Sequence, residues 1–400
     1  MLNIPKVQVQ VHRKLKLLVD EASEFPEISS PVIEASRKLR FIDLNSLLNE
    51  RSRLIRMFRE IALPLEFDFH PPLNFSPKSP LDESWADNAL KNTLVIGVDT
   101  SEITPTPHVS PLFLLINIGY QAIFYGDKLT YLHGSTPYFY ASKEIMTDIG
   151  VGRFKHVPSW LLEVKRLEDE CKVVEELLKS FLKVDVSFVF FDESFSVNYL
   201  TARSREFRRR VVESLVMMHR KLRDLNAIPI GIFYTRSRAF TFMTIRSVLC
   251  ASKNCSDCIN QSANLRCREL STIRDSILFD KVLNVGWRSP LFDVKNRVTE
   301  EFPDLKVLGF YVKIGSGNIL RVEFPDWCRD YVDDIHRVVF AQSIIGRGYP
   351  YILERAHEEA YISPRERAWV LSYIDKLLRA SGNHGLTLSG KFRRKIRGVV

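Results

Sequence analysis

The middle of the chain constrains the fold most, because its hydrophobic period switches repeatedly between strand-like and helix-like spacing. TLVIGV (93–98) is short, branched and apolar, as a buried strand should be. SPLFLLINIGY and QAIFYGDKLTYLHG follow, and are expected to be strands of a meander with a tight turn near Gly119 and Tyr120. Residues 158–183 then take helical spacing, with charges on the outer face. VSFVFFD (186–192) is a strand, 202–225 a basic amphipathic helix, and IPIGIFY (228–234) a strand again. This alternation predicts an α/β layer with a mixed sheet flanked by helices.

The flanks are less regular. Residues 1–60 are expected to be mostly helical, with Ser30 as an N-cap and Pro31 at the first helical position. Residues 63–92 are Pro-rich and polar, which predicts an irregular connection. KVLGFYVKIGSGNILRVEF (306–324) predicts a hairpin turning at Gly315-Ser316-Gly317, and helices are expected near 327–343 and 364–379. The organisation expected is an N-terminal helical extension with its connection (1–92), one α/β domain (93–380) and a basic tail (381–400).

At 400 residues and 45% hydrophobic, the chain can bury one large core or two medium ones. No stretch of about 18 apolar residues occurs, so no membrane span is expected. The first residues lack an apolar block with a cleavage site, and a cytoplasmic location is expected. The net charge of +9 suits a polyanion such as DNA, since Lys and Arg release counterions from phosphates. Arg203, Arg205, Arg208, Arg209 and Arg210 crowd one helix, and Lys391, Arg393, Arg394, Lys395 and Arg397 crowd the tail. Each group is open to two readings: nucleic-acid contact, or a solvated face and a loose tail.

The acidic residues carry more chemistry. Asp99 follows TLVIGV, and Asp192 follows VSFVFF. A carboxylate at the end of a buried strand is costly unless it is paired or bound to a metal. Two such groups side by side repel, which forces a proton onto one of them or calls for a cation between them. Mg²⁺ or Mn²⁺ suits oxygen ligands, and a pair of such ions can activate water for phosphodiester cleavage. Capping of the next loop or helix is the plainer alternative.

Four of six cysteines, Cys250, Cys255, Cys258 and Cys267, form a C-x4-C-x2-C-x8-C pattern within an apparent insertion at about 250–267. Thiolates so spaced can hold structural Zn²⁺ or an iron–sulfur cluster; a disulfide pair or free thiols are the alternatives. Cys171 and Cys328 read as lone buried thiols.

Three segments, in order, carry a resemblance to a known family. GVDTSEI (97–103), FFDESF (191–196) and GYPYILERAHEEAYIS (348–363) resemble the motifs of NurA nucleases, and RVEFP (321–325) resembles the strand before the last. Glu193 stands where the family usually has glycine. The resemblance covers roughly residues 93–375. It implies an RNase H-like core and Mn²⁺- or Mg²⁺-dependent cleavage of DNA with two ions, of 5′–3′ exonuclease and single-strand endonuclease type. It also implies a homodimer docking on a hexameric HerA-type ATPase, in resection of double-strand break ends.

By the same resemblance, Asp99 and Asp192 match metal ligands, and His357 matches a histidine beside the metals. A glutamate ligand is expected on the 158–183 helix, at Glu168 from its local pattern, with Glu170 the runner-up. Considered alone, His357 could simply pair with Glu354 or Glu358 at helical spacing. The family often has a lysine just after the glycine of the 228–234 strand; here Tyr234 stands near that place, and Arg236 and Arg238 are candidates for contacting DNA with Arg205 and Arg209. Two competing functions remain: a catalytically impaired DNA-binding or scaffold member, motivated by Glu193 and the missing lysine, and an RNase H-like ribonuclease. No Walker-type glycine loop is present, so ATP hydrolysis by this chain is not expected.

Overall fold

The computed structural model describes residues 3–23, 55, 60–74, 83–104, 109–141, 144, 159–181, 184, 186–234 and 275–388. The Ser30–Pro31 cap, Arg236, Arg238, the four clustered cysteines and the basic tail lie outside the described residues.

In chain order the described elements are α1 (Ile4–Ser23), β1 (Glu60–Pro64), α2 (Glu83–Leu90), β2 (Leu94–Ile103), β3 (Val109–Ser110), β4 (Phe113–Tyr125), β5 (Leu129–Ala141), α3 (Ser159–Ser180), β6 (Ser187–Phe191), α4 (Arg205–Asp224) and β7 (Ala227–Tyr234). Then come α5 (Asp275–Val282), β8 (Phe292–Asn296), α6 (Arg297–Glu301), β9 (Val307–Gly315), β10 (Asn318–Pro325), α7 (Val332–Ile345), α8 (Tyr351–Ala360), α9 (Pro364–Ala380) and β11 (Thr387–Leu388).

Nine strands form one sheet in the order β1-β8-β9-β10-β7-β6-β2-β4-β5. The half made of β5, β4, β2, β6 and β7 begins as an antiparallel meander and continues as parallel strands joined through α3 and α4. That mixed α/β arrangement is the fold class expected, and it is compatible with an RNase H-like core. The other half is antiparallel and attaches through β10 to β7.

The sheet is covered on both faces. Ile96 and Val98 of β2 and Val189 and Phe191 of β6 pack against α3 and α4. The alternate residues, Val95, Phe188 and Phe190, pack against α2, α7 and α8. Period-two alternation thus sends successive side chains of one strand into two different cores.

Four local expectations are revised. The strand at 93–98 runs on to Ile103, so Asp99 lies within it. The turn expected at Gly119 and Tyr120 is absent: β4 runs straight through both, and the chain reverses after Tyr125. Glycine is needed at 119 because α8 lies on it; a Cβ there would sit 2.1 Å from the Ala360 nitrogen and 2.4 Å from the Ala356 oxygen. The Pro-rich stretch carries regular structure in β1, paired with β8, and in α2. Three helices rather than two follow the hairpin, the added one being α8.

Candidate functional site

The register of the parallel strands builds the site. Val98 of β2 pairs with Phe191 of β6 at the end of their ladder, so Asp99 and Asp192 come next on the two sides. Adjacent strands are about 4.8 Å apart, which makes the two aspartates neighbours. By alternation both share the face of Gly97 and Phe190, the face that α8 covers.

Helix α8 comes close because two strand residues lack side chains. A Cβ on Gly97 would lie 2.5 Å from the Ile352 oxygen, and Gly119 meets the same helix one turn and more further on. This contact sets His357 beside the end of the ladder, with its Nδ1 2.6 Å from Asp99 Oδ2. A carboxylate only accepts, so Nδ1 carries the proton, and in the neutral ring Nε2 offers its lone pair. Glu358, one alternative partner, pairs instead with Arg355. Half the turn before α8 brings in Tyr349, whose hydroxyl donates to Asp192 Oδ1 at 2.8 Å. Gly346, Arg347 and Gly348 shape that turn, Arg347 at φ 53° and Gly348 at φ 130°.

On the opposite side, Thr100 points toward α3 and donates to Glu170 Oε1 at 2.6 Å. Glu170 is 2% exposed. Arg166, one turn earlier, donates to both of its oxygens at 3.1 and 3.4 Å. The same guanidinium reaches Glu163 at 3.3 Å and Glu193 at 2.5 Å. Three carboxylates therefore share one cation, and Glu193 leaves a second buried oxygen, Oε1, without a hydrogen-bond partner.

Glu168, the glutamate expected here, is not in this group: it pairs with Lys165 at 3.1 Å and is 40% exposed. Residues two apart on a helix point about 200° away from each other. Leu167, Cys171 and Val174 bury the inner face of α3, and Glu170 belongs with them. A count of helical phase against those apolar residues would have favoured Glu170. Tyr349 was not singled out; its place in the aromatic-Pro run before the helix of His357 was the available signal.

The electrostatics record crowding. Loss of hydration pushes the Glu170 carboxyl up to about 7; Arg166 opposes the rise, while Glu193 and Asp99 add to it. Asp192 is raised from its ordinary value, first by desolvation; the Tyr349 hydrogen bond opposes this and the Asp99 charge adds to it. Glu102, further along β2, is raised mainly by desolvation. Among the described residues no three His, Cys, Asp or Glu side chains stand together as a ready metal cage. Asp99 is engaged by His357 and Asp192 by Tyr349. In kind, however, the donors fit a hard divalent cation: they are carboxylate oxygens, and a cation would lower the proton affinity that desolvation, and then the Asp99 charge, raise at Asp192.

The remaining candidates are placed elsewhere or only in part. Tyr234 is the last residue of β7, opposite Leu320 of β10. Arg205 pairs with Glu301 at 3.2 Å. Arg209 pairs with Glu206 and Glu213 at 2.8 and 2.9 Å. Much of the basic helix is thus locally neutralised. Cys171 and Cys328 are free and buried, as expected. No helix among the described residues is long and apolar enough to cross a membrane.

The NurA domain family profile matches residues 160–362. Among solved structures, the NurA nuclease from Sulfolobus solfataricus aligns over 86% of this chain and 96% of its own, at 12% identity and a TM-score of 0.44. A crystal structure of NurA aligns over 92% and 97%, at 12% identity and a TM-score of 0.38. One of NurA with manganese aligns over 92% and 97%, at 12% identity and a TM-score of 0.37. No curated protein sequence matches the chain.

Proposed function

Because this chain belongs to the NurA domain family, we propose that it is a divalent-metal-dependent nuclease that hydrolyses DNA. One observation carries the reading: Asp99 and Asp192 directly follow Val98 and Phe191, the residues paired at the end of the parallel β2–β6 ladder, and His357 lies on Asp99. Asp99 and Asp192 are the residues that would hold Mn²⁺ or Mg²⁺, with His357 on Asp99 and Glu170 across the strand on the α3 side, bound to Thr100. Such ions lower the pKa of bound water and stabilise charge on the phosphate oxygens.

The chain's own groups do the rest. Tyr349 fixes one Asp192 oxygen, Oδ1. Asp99 holds the His357 ring in one tautomer, so that Nε2 can take a proton from the attacking water and, from the resulting imidazolium, return it to a leaving oxygen. Thr100 and Arg166 orient Glu170 and oppose the desolvation that raises its carboxyl. Two ions, 5′–3′ polarity with single-strand endonuclease activity, a homodimer, docking on a HerA-type ATPase ring and work at double-strand break ends are proposed with it, supported by the resemblance alone. So are Tyr234, Arg236 and Arg238 as DNA contacts.

The test is degradation of linear and single-stranded DNA with Mn²⁺, comparing wild type with Asp99→Ala and Asp192→Ala. Loss of cleavage in both variants, with DNA binding retained, is the expected result. Cleavage by both at the wild-type rate overturns the site. Binding without cleavage by the wild type selects the impaired DNA-binding member, and cleavage of RNA alone selects a ribonuclease.

A further inference from the structure

We propose that Glu323 is a positioning residue: from β10 it braces the loop that starts at Asp192, so the antiparallel half of the sheet sets the orientation of that aspartate. Its effect on metal binding presumes the nuclease reading; the brace itself does not.

Glu323 is fully buried. It pairs across the ladder with Gly231 of β7, and Gly231 pairs in turn with Phe191, the residue before Asp192. The missing side chain at 231 is what lets the loop fold over β7. A Cβ there would lie 2.6 Å from the Glu193 carbonyl oxygen. Over this gap Glu323 Oε2 accepts from Ser194 Oγ and from the Ser196 backbone N–H, each at 2.9 Å.

Charge explains why the loop stays. Arg321 Nη2 lies 2.5 Å from Glu323 Oε1, and its Nη1 donates to Glu60 Oε1 of β1 at 2.6 Å. One guanidinium thus faces two carboxylates, leaving an excess negative charge in a closed place. The loop supplies the missing donors: Ser194 and Ser196 to Glu323, and Ser196 Oγ to Glu60 Oε2 at 3.3 Å. Withdrawing the loop would strand a buried carboxylate, which is costly. From the other side, Asn296 donates to the Ser196 carbonyl at 2.8 Å. The segment 192–196 is therefore fixed at one end by the β6 ladder and at the other by this network.

Two variants of the full chain test the brace. Glu323→Gln keeps the shape and leaves Arg321 paired with Glu60, while its amide group replaces one acceptor with a donor facing donors. Ser194→Ala removes the hydroxyl's bonds to Glu323 Oε2 and to Ser196 Oγ while leaving the Ser196 N–H bond in place, and is the safeguard should the first variant not fold. Hydrogen exchange of the metal-free protein is read at residues 193–197, and Mn²⁺ affinity is read by calorimetry without DNA. In Glu323→Gln the loop amides should exchange at least about 10-fold faster, with β2 and β9 unchanged, and Mn²⁺ affinity should fall about 10-fold. Ser194→Ala should show the same pattern at about 3-fold. Wild-type exchange in both variants overturns the brace, and a loosened loop with unchanged Mn²⁺ affinity overturns its role in placing Asp192. If the wild type binds no Mn²⁺, the metal reading has failed by itself, and the exchange data alone decide the brace.

Discussion

Substituting Gly119 by alanine tests how the site is assembled without touching a polar group. The new Cβ would meet the Ala360 nitrogen at 2.1 Å and the Ala356 oxygen at 2.4 Å, both backbone atoms of α8. Ordinary contact begins at 3.4 Å, so the helix must retreat by about 1.3 Å. His357 rides on that helix, and its 2.6 Å bond to Asp99 would lengthen to about 3.9 Å, outside hydrogen-bonding range. Overpacking of this kind costs about 1–3 kcal/mol of stability. A displacement of about 1 Å at a reacting group can cost about 100-fold in rate. Gly119→Ala should therefore unfold at lower denaturant concentration and cleave DNA about 100-fold more slowly with Mn²⁺, while residues of the α3 face keep wild-type hydrogen exchange. A variant with wild-type stability and cleavage would refute the claim that the two strand glycines set the distance between α8 and the aspartates.

Three further outcomes are expected. Glu170→Gln should lower Mn²⁺-dependent cleavage by about two orders of magnitude, equivalent to roughly 2.7 kcal/mol of barrier, whereas Glu168→Gln should leave it within about twofold. The pH dependence has a definite sign: with Glu170 near 7 in the fold and near 4.5 unfolded, the folded chain binds more protons between those values. Its stabilising contribution is complete below about 4.5 and lost as pH rises through 7. The melting temperature of the metal-free protein should fall over that window, and Glu170→Gln should flatten the slope. Arg166→Met should lower stability by about 3 kcal/mol in denaturant unfolding, because Glu163, Glu170 and Glu193 lose their shared cation; an unchanged midpoint would argue against that sharing.

The sequence made parts of this legible and hid others for physical reasons. The strands and their aspartates stand out because a carboxylate beside a buried strand must be capped, paired or bound to a cation, and the motif around each, not the strand itself, favoured the last. His357 was visible only by motif; in isolation its helix offered Glu354 and Glu358 as partners, and distance in space decided for Asp99. Gly119 read as a turn because glycine serves both sharp reversals and close backbone approach, and a single sequence does not distinguish them. Glu168 was favoured on its neighbours in sequence, while helical phase relative to Leu167, Cys171 and Val174 puts Glu170 inward. The Arg321–Glu323–Glu60 network was illegible because its members come from β1 and β10, at opposite ends of the chain's order.

The shared ladder of β2 and β6 also separates two kinds of distance. Asp99 and Asp192 are 93 positions apart along the chain, yet each directly follows one member of the Val98–Phe191 pair. Lengthening the connection between them would add only loop-closure entropy, about 0.6 kcal/mol for each doubling. Shifting the ladder by a single residue would turn the two carboxylates to opposite faces of the sheet. Intervals counted in residues are thus free to drift among chains built this way, while the pairing of these two strands is not.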